Sequence, residues 1–211
     1  GKYRGIEQIY KERRSMKNIL FSGNVKVFDG MLTCMLSIFK RTKSKEPYNF
    51  YIFTMDVSHI KPDYIPVSDK QVEFLQQIAK DYNPDNLVTK IDVTDIYMEE
   101  FDNCPNENAY CSPYTLLRLF ADKIPEIPDK LLYLDVDILF NREPELLYDV
   151  DVEGYEYAAA RDHYGKYLLN PNYINAGVLL FNMKEIRKTG LFEKARHLIK
   201  TKKVLFADQD A

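Results

Sequence analysis

The sequence predicts an α/β fold with a mainly parallel central sheet and helices on both faces. Three observations lead there. Short apolar runs rich in aromatic and β-branched residues alternate with stretches of helical periodicity. Those helical stretches carry their own start and stop residues. The run Leu131 to Phe140 (LLYLDVDILF) is apolar except for two aspartates, as a strand covered on both faces reads.

Taken in order, Asn18 to Phe21 (NILF) reads as a short buried strand closed by Ser22-Gly23-Asn24. Asp29-Gly30 opens a helix whose apolar positions Met31, Leu32, Met35, Ile38 and Phe39 recur with helical spacing. Lys40, Arg41 and Lys43 suit its negative end. Asn49 to Met55 (NFYIFTM) has the composition of a second strand. Ser68 and Gln71 are spaced as a capping box before a helix with Val72, Leu75, Ile78 and Ala79 on one face. Leu87 to Ile91 is a third strand. Ser112-Pro113 then supplies an N-cap and a proline at the first helical position, which launches a helix from Tyr114 to Ala121. Leu131 to Leu134 is the fourth strand, and Tyr155 to Ala160 and Val178 to Asn182 are later ones. Thr189 to Lys200 closes the chain with an amphipathic helix.

No repeat, low-complexity tract or linker divides these elements, so 18–211 reads as one domain after a charged extension, 1–17. At 211 residues and 45% apolar composition, the chain can build a core without staples. A net charge of −3 gives no electrostatic footprint for nucleic acid. Cys34, Cys104 and Cys111 form neither a C-x-x-C pair nor a zinc pattern. An odd count of unpaired thiols points to a reducing compartment, and no signal segment or long apolar run contradicts a cytoplasmic location. The first 17 residues hold six basic and two acidic side chains. They read either as a solvated leading helix or as a peripheral contact with an anionic membrane face.

Asp135 and Asp137 carry the chemistry. Residues i and i+2 of a strand share a face, so both carboxylates are expected on one side of a buried strand end. Two anions that close repel and lose hydration; one protonates, or a cation sits between them. A divalent ion with oxygen ligands, Mn²⁺ or Mg²⁺, meets that need. Ligands of open parallel sheets also bind at the carboxyl ends of strands. The alternative is a pair of strand-end carboxylates that caps a helix or bonds arginines. Asp149-Val150-Asp151 and Asp208-Gln209-Asp210 repeat the spelling without an apolar strand before them, and the first is read as a solvated loop.

Six segments then resemble family 8 of the retaining glycosyltransferases, the group that includes bacterial lipopolysaccharide galactosyl- and glucosyltransferases and glycogenin. They are NILFSGN, SPYTLLRLF, KLLYLDVDILF, AAARDH, INAGVLLFNMKEIR and FADQDA, in the family's order from Asn18 onward. The resemblance implies the GT-A, Rossmann-like fold of nucleotide-diphospho-sugar transferases, a UDP-sugar donor, Mn²⁺ or Mg²⁺, and transfer with retention. It implies Asp135 and Asp137 as metal ligands and Arg118 as a holder of the donor sugar. Ser22, Asn24, Asp135, Val136, Asn175 and Ala176 would contact the donor, and Asp162, Asp208 and Gln209 would stand at the reacting face with Arg118. Plainer readings remain for several: Arg118 as a structural partner of Asp208, Asn175-Ala176-Gly177 as a turn before a strand, Asp162 as a loop cap.

The implied substrates are a UDP-hexose and an oligosaccharide, glycolipid or protein acceptor, in bacterial surface-glycan synthesis at the inner face of the membrane. Two departures stand out. Many relatives have Asp at the place of Asn24, followed by an Asn-Tyr pair, where Val25, Lys26 and Val27 follow here; and the family's third metal ligand, a histidine of a later segment, has no match in His59 or His197. A C-terminal part of the family domain, which normally covers the donor and offers membrane contact, is therefore expected to be missing or unseen. Two other classes fit the central motif: a donor-binding protein without turnover, and a haloacid-dehalogenase-like phosphotransferase, which also begins with a strand and D-x-D.

Overall fold

The computed structural model describes residues 16–101, 104, 112–163, 167, 171 and 173–202. β1 (Lys17–Ser22) lies between β2 (Tyr48–Thr54) and β4 (Lys130–Leu134) and is parallel to both; β3 (Leu87–Asp92) extends the sheet beside β2, also parallel. β6 (Ile174–Asn182) runs antiparallel to β4 and to β5 (Tyr157–Arg161). The six strands are ordered β3-β2-β1-β4-β6-β5. Three parallel pairings against two antiparallel ones bear out the mainly parallel sheet.

Strand alternation sorts the apolar side chains into two cores, as a sheet covered on both faces requires. Ile19, Phe21, Phe50, Ile52, Leu132 and Leu134 pack on one face against α1 (Phe28–Arg41) and α2 (Asp69–Tyr82). Leu20, Tyr51, Phe53, Tyr133 and Phe181 pack on the other, against α3 (Thr94–Phe101), a 3₁₀ helix (Pro113–Lys123), α5 (Met183–Thr189) and α6 (Leu191–Thr201). A single turn, α4 (Glu145–Tyr148), lies between β4 and β5. Ser68 makes the expected reciprocal capping box with Gln71.

Three details differ from expectation. The helix after Ser112 keeps its predicted cap but is wound as 3₁₀. The closing amphipathic helix does not begin at Thr189: Thr189 ends α5, and Gly190, at φ +69°, turns the chain through the left-handed region into α6. α3 was not foreseen; its start is marked by Asp92, whose carboxylate accepts from the Thr94 amide at 2.9 Å. Of the basic extension, residues 1–15 lie outside the described residues, as do Cys111 and the segment from 203 onward. Met16 and Lys17 are buried, and Lys17 opens β1 with its ammonium 2.5 Å from Glu46. No described helix is long and apolar enough to cross a membrane.

Arg196 fastens α6 to the 3₁₀ helix. Its guanidinium, buried, meets Asp122 through two bonds of 2.6 and 3.0 Å and also donates to the Leu119 carbonyl. Removing one partner of such a pair strands a buried charge. Asp122→Ala is expected to lower stability in urea unfolding by about 3–5 kcal/mol; a loss under about 1 kcal/mol would mean that the pair behaves as a surface one.

The cores also fix the alkaline limit. Burial pushes the Cys34 thiol up to about 12, and the charge of Asp137 acts the same way. Burial likewise raises the phenols of Tyr48 and Tyr114 above their ordinary range. A folded value above the unfolded one gives stability that is complete below the unfolded value, about 8.5 for a thiol, and is lost as pH rises through the folded one. Urea midpoints are therefore expected to hold from neutrality to that point and then fall toward pH 12. Cys34→Ala should flatten the first part of the fall; an identical profile would show that this thiol does not contribute.

Candidate active site

The carboxyl ends of β1 and β4 open into a cleft of about 390 Å³. Its walls come from Ser22, Gly23 and Asn24 after β1, Tyr64, the first turn of the 3₁₀ helix, and Tyr133, Asp135, Val136 and Asp137 at the end of β4. Of the residues expected at the site, Ser22, Asn24, Asp135, Val136 and Asp137 line this cleft.

The β1 side is stitched by backbone bonds. The Gly23 amide donates to the Phe53 carbonyl at 3.0 Å, and the Val25 amide to Ile65 at 3.1 Å. Asn24 caps the turn Val25–Val27 by accepting from the Lys26 amide at 3.0 Å. That amide oxygen therefore has one lone pair left for a ligand, beside the two donors of its nitrogen. Ser22 is buried to nine-tenths, and its hydroxyl has no hydrogen-bond partner among the described residues. Lys26 lines the cleft and pairs with Asp63; this bond holds the Asp63 carboxyl below its ordinary value. Tyr64 stands edge-on to Tyr114 with centroids 5.5 Å apart, and the Tyr114 hydroxyl donates to the Met55 carbonyl at 2.9 Å.

The aspartate side corrects one premise. β4 ends at Leu134, so Asp135 and Asp137 occupy the turn beyond it and do not share a strand face. The Asp135 side chain is 39% exposed and Asp137 is exposed. Burial is therefore not a demand for a cation here; what the structure gives is two carboxylates lining one open cleft. Asp135 is fixed by its amide, which donates to the Gly177 carbonyl at 2.8 Å, and its own carbonyl closes the turn on Ile138 at 3.3 Å. On the α1 side, a Cβ at Gly30 would come within 2.5 Å of the Val136 carbonyl oxygen, so that glycine lets the helix meet the turn. Beyond it, the Phe140 amide donates to Ser37 Oγ at 2.9 Å.

On an α-helix Arg118 would share a side with Tyr114, four residues earlier. In a 3₁₀ helix residues three apart eclipse, so Arg118 aligns with Thr115 instead. It donates through Nε to the Thr115 carbonyl at 2.9 Å and through the guanidinium to Ala176 O. The guanidinium also covers the Tyr133 ring, 3.9 Å from its centroid, and lies 3.7 Å from Asp135 Oδ1. It is 3% exposed, which places it beneath the cleft, behind Asp135.

Asn175 is exposed and accepts from the Gly177 amide at 3.0 Å; Ala176 is buried. Asp162 follows β5, its amide bonded to the Tyr173 carbonyl at 2.9 Å, and is not part of the cleft wall. Asp208 and Gln209 lie outside the described residues. Among those described, no three His, Cys, Asp or Glu side chains converge as a metal cluster. Tyr64 and Tyr133 were missed; Gly177 was noted only within the small-residue stretch Asn175-Ala176-Gly177. Tyr133 was findable, standing two residues before Asp135; Tyr64 reaches the cleft from a loop with no periodic signal.

Comparison with known proteins agrees with this geometry. Residues 18–211 match the family described as Glycosyl transferase family 8. A Haemophilus influenzae protein with a provisional glycosyltransferase name is 28% identical over 188 residues, covering 84% of this chain and 52% of that protein. Glycosyltransferase GlyA of Streptococcus pneumoniae is 28% identical over 206 residues, 92% of this chain and 25% of its own. The chain thus spans about half of the first relative and a quarter of the second. Among solved structures, the bifunctional glycosyltransferase WbbM aligns with a TM-score of 0.72 at 20% identity, over 93% of this chain and 36% of that one. The galactosyltransferase LgtC, solved with donor and acceptor sugar analogues, aligns with a TM-score of 0.66 at 20% identity, over 92% and 68%. The chain belongs to glycosyl transferase family 8 and has the GT-A fold.

Proposed function

We propose that this chain is the donor-binding part of a retaining hexosyltransferase that moves glucose or galactose from a UDP-sugar to a glycan, lipid-linked or protein acceptor. The observation that carries the reading is the shared cleft: two carboxylates at one end and the unpartnered, buried Ser22 hydroxyl at the other. Membership of the family sets the phosphotransferase alternative aside.

The donor set fits a hard divalent ion. Two carboxylates and no thiol or imidazole suit Mg²⁺ or Mn²⁺, which take their remaining ligands from phosphate oxygens and water. Asp135 and Asp137 would hold it. When bound, such an ion stabilises negative charge on a departing diphosphate. Ser22 and Asn24 offer hydrogen bonds to the nucleoside, with the rings of Tyr64 and Tyr114 as a wall. Asn175, Ala176 and Asp162, with Asp208 and Gln209, are proposed for the sugar and the reacting face, and Arg118 supports them from behind Asp135. The bond from the anomeric carbon to phosphate oxygen breaks with its electron pair going to UDP. The acceptor hydroxyl bonds on the same face, and its proton passes to the leaving phosphate oxygen. An amide such as Gln209 is too weak a base to serve as nucleophile, so the front-face route is preferred over a covalent one. A role in surface-glycan assembly at the inner membrane face belongs to the same proposal.

The test is a panel of UDP-sugars, each with Mn²⁺, read by thermal stabilisation and by release of UDP. One UDP-hexose is expected to raise the unfolding midpoint and to turn over, and Asp137→Ala should abolish both effects. An unchanged response in that variant would overturn the metal assignment. Stabilisation without UDP release, even with acceptors present, would identify a binding protein without turnover.

A further inference from the structure

The two oxygens of Asp135 do not share one environment. Oδ1 accepts from the Tyr133 hydroxyl at 2.7 Å and is the oxygen nearest Arg118, at 3.7 Å. Arg118 is itself held over the Tyr133 ring and on the Ala176 carbonyl, so phenol and guanidinium brace each other before either touches the carboxylate. Oδ2 faces Gly177. A Cβ at that residue would come within 2.8 Å of Oδ2 and 3.2 Å of Asn175 Oδ1.

Backbone conformation does not explain this glycine. The positive-φ glycines among the described residues are Gly154 and Gly190, and Gly177 lies within strand β6, where any residue could stand. What its missing side chain supplies is room beside one carboxylate oxygen. Groups that bind a ligating carboxylate from behind fix which oxygen it presents and how basic that oxygen is. Without the phenol, the carboxylate would be free to swing toward the guanidinium, with which it makes only a long contact.

We infer that Tyr133 and Gly177 are positioning residues that set the pose of Asp135: the phenol, braced by Arg118, takes Oδ1, and the missing Cβ at Gly177 lets Oδ2 stand where a side chain would collide with it, the pose from which Asp135 would hold the cation. This rests on the metal-binding reading above. Gly177→Ala should act through Asp135 and not through the fold, because the atom its methyl meets is the end of a side chain.

The measurement is Mn²⁺ affinity in the presence of UDP, by titration calorimetry, together with UDP affinity in the absence of metal and the urea midpoint. Tyr133→Phe and Gly177→Ala are each expected to weaken Mn²⁺ binding by about 10- to 100-fold, the range for residues that orient a metal ligand. Metal-free UDP affinity and the urea midpoint should stay near wild type, a pattern that a general packing defect would not give. Asp135→Asn and Asp137→Ala separate the two layers. If both abolish Mn²⁺ binding while Tyr133→Phe and Gly177→Ala stay within about threefold of wild type, far short of that range, the positioning role is wrong and the metal site stands. If Asp135→Asn and Asp137→Ala bind Mn²⁺ as the wild type does, the site itself is wrong and the positioning role falls with it. Should Gly177→Ala fold poorly, Tyr133→Phe decides alone, since it removes one oxygen atom and no packing surface.

Discussion

The hydrogen bond from the Asp135 amide to the Gly177 carbonyl ends one strand and begins the site. β4 runs parallel to β1 on one side and antiparallel to β6 on the other. Its last ladder residues are buried leucine and tyrosine, and the chain must leave the sheet somewhere. Because that amide is still paired, Asp135 leaves at a fixed height above β6, and the turn to Ile138 follows with no freedom to slide. Gly30 and Ser37 of α1 hold the same turn from the opposite face. The acidic motif is thus clamped between a helix and a strand, and its geometry is inherited from the two cores beneath it.

Charge is arranged with the same economy. A buried guanidinium requires partners, since an isolated buried ion loses far more hydration than one contact returns. Arg118 finds two carbonyls, an aromatic face and, at longer range, one carboxylate oxygen. Among the described residues its closest bonds go to neutral groups, and its contact with Asp135, at 3.7 Å, is a long one. Lys26 and Asp63 show the opposite solution at the rim, where exposed groups pair directly and water screens them.

Much of this was legible from residue order. The near-continuous apolar runs in NILF, NFYIFTM and LLYL report burial on both faces, and those three strands lie within a residue of their expected places, whereas β6 begins four residues before the expected Val178. Ser68 and Ser112 announce their helices because a cap is a local event, written in adjacent residues. What escaped was set by contacts between distant segments. The 3₁₀ winding after Pro113 is not encoded by propensity alone, and it is what rotates Arg118 away from Tyr114 and under the cleft. Tyr64 reaches the site through the bonds that tie Val25 to Ile65 and Asn24 to Pro66, a pairing between loops that no periodicity reveals. Gly177 reads in sequence as part of an ordinary small-residue turn; its meaning depends on an oxygen 42 positions earlier, brought beside it by β4 and β6.

The chain carries its own comparison for the central motif. Asp149-Val150-Asp151 has the same letters as Asp135-Val136-Asp137, and the structure gives the two opposite uses. Asp149 is 62% exposed and lies 3.5 Å from the Lys17 ammonium, while Asp151 spends an oxygen on the Glu153 amide at 2.9 Å. That pair is occupied locally, one member by a cation of its own chain and the other by its own turn. Asp135 commits one oxygen to a phenol and faces a glycine with the other, on the wall of a cleft that also holds an unpartnered serine hydroxyl. Spacing is identical in the two places, so spacing cannot be what makes a site. The difference lies in what holds each carboxylate: a lysine for Asp149 and its own turn for Asp151, but a phenol and the backbone of the neighbouring strand for Asp135.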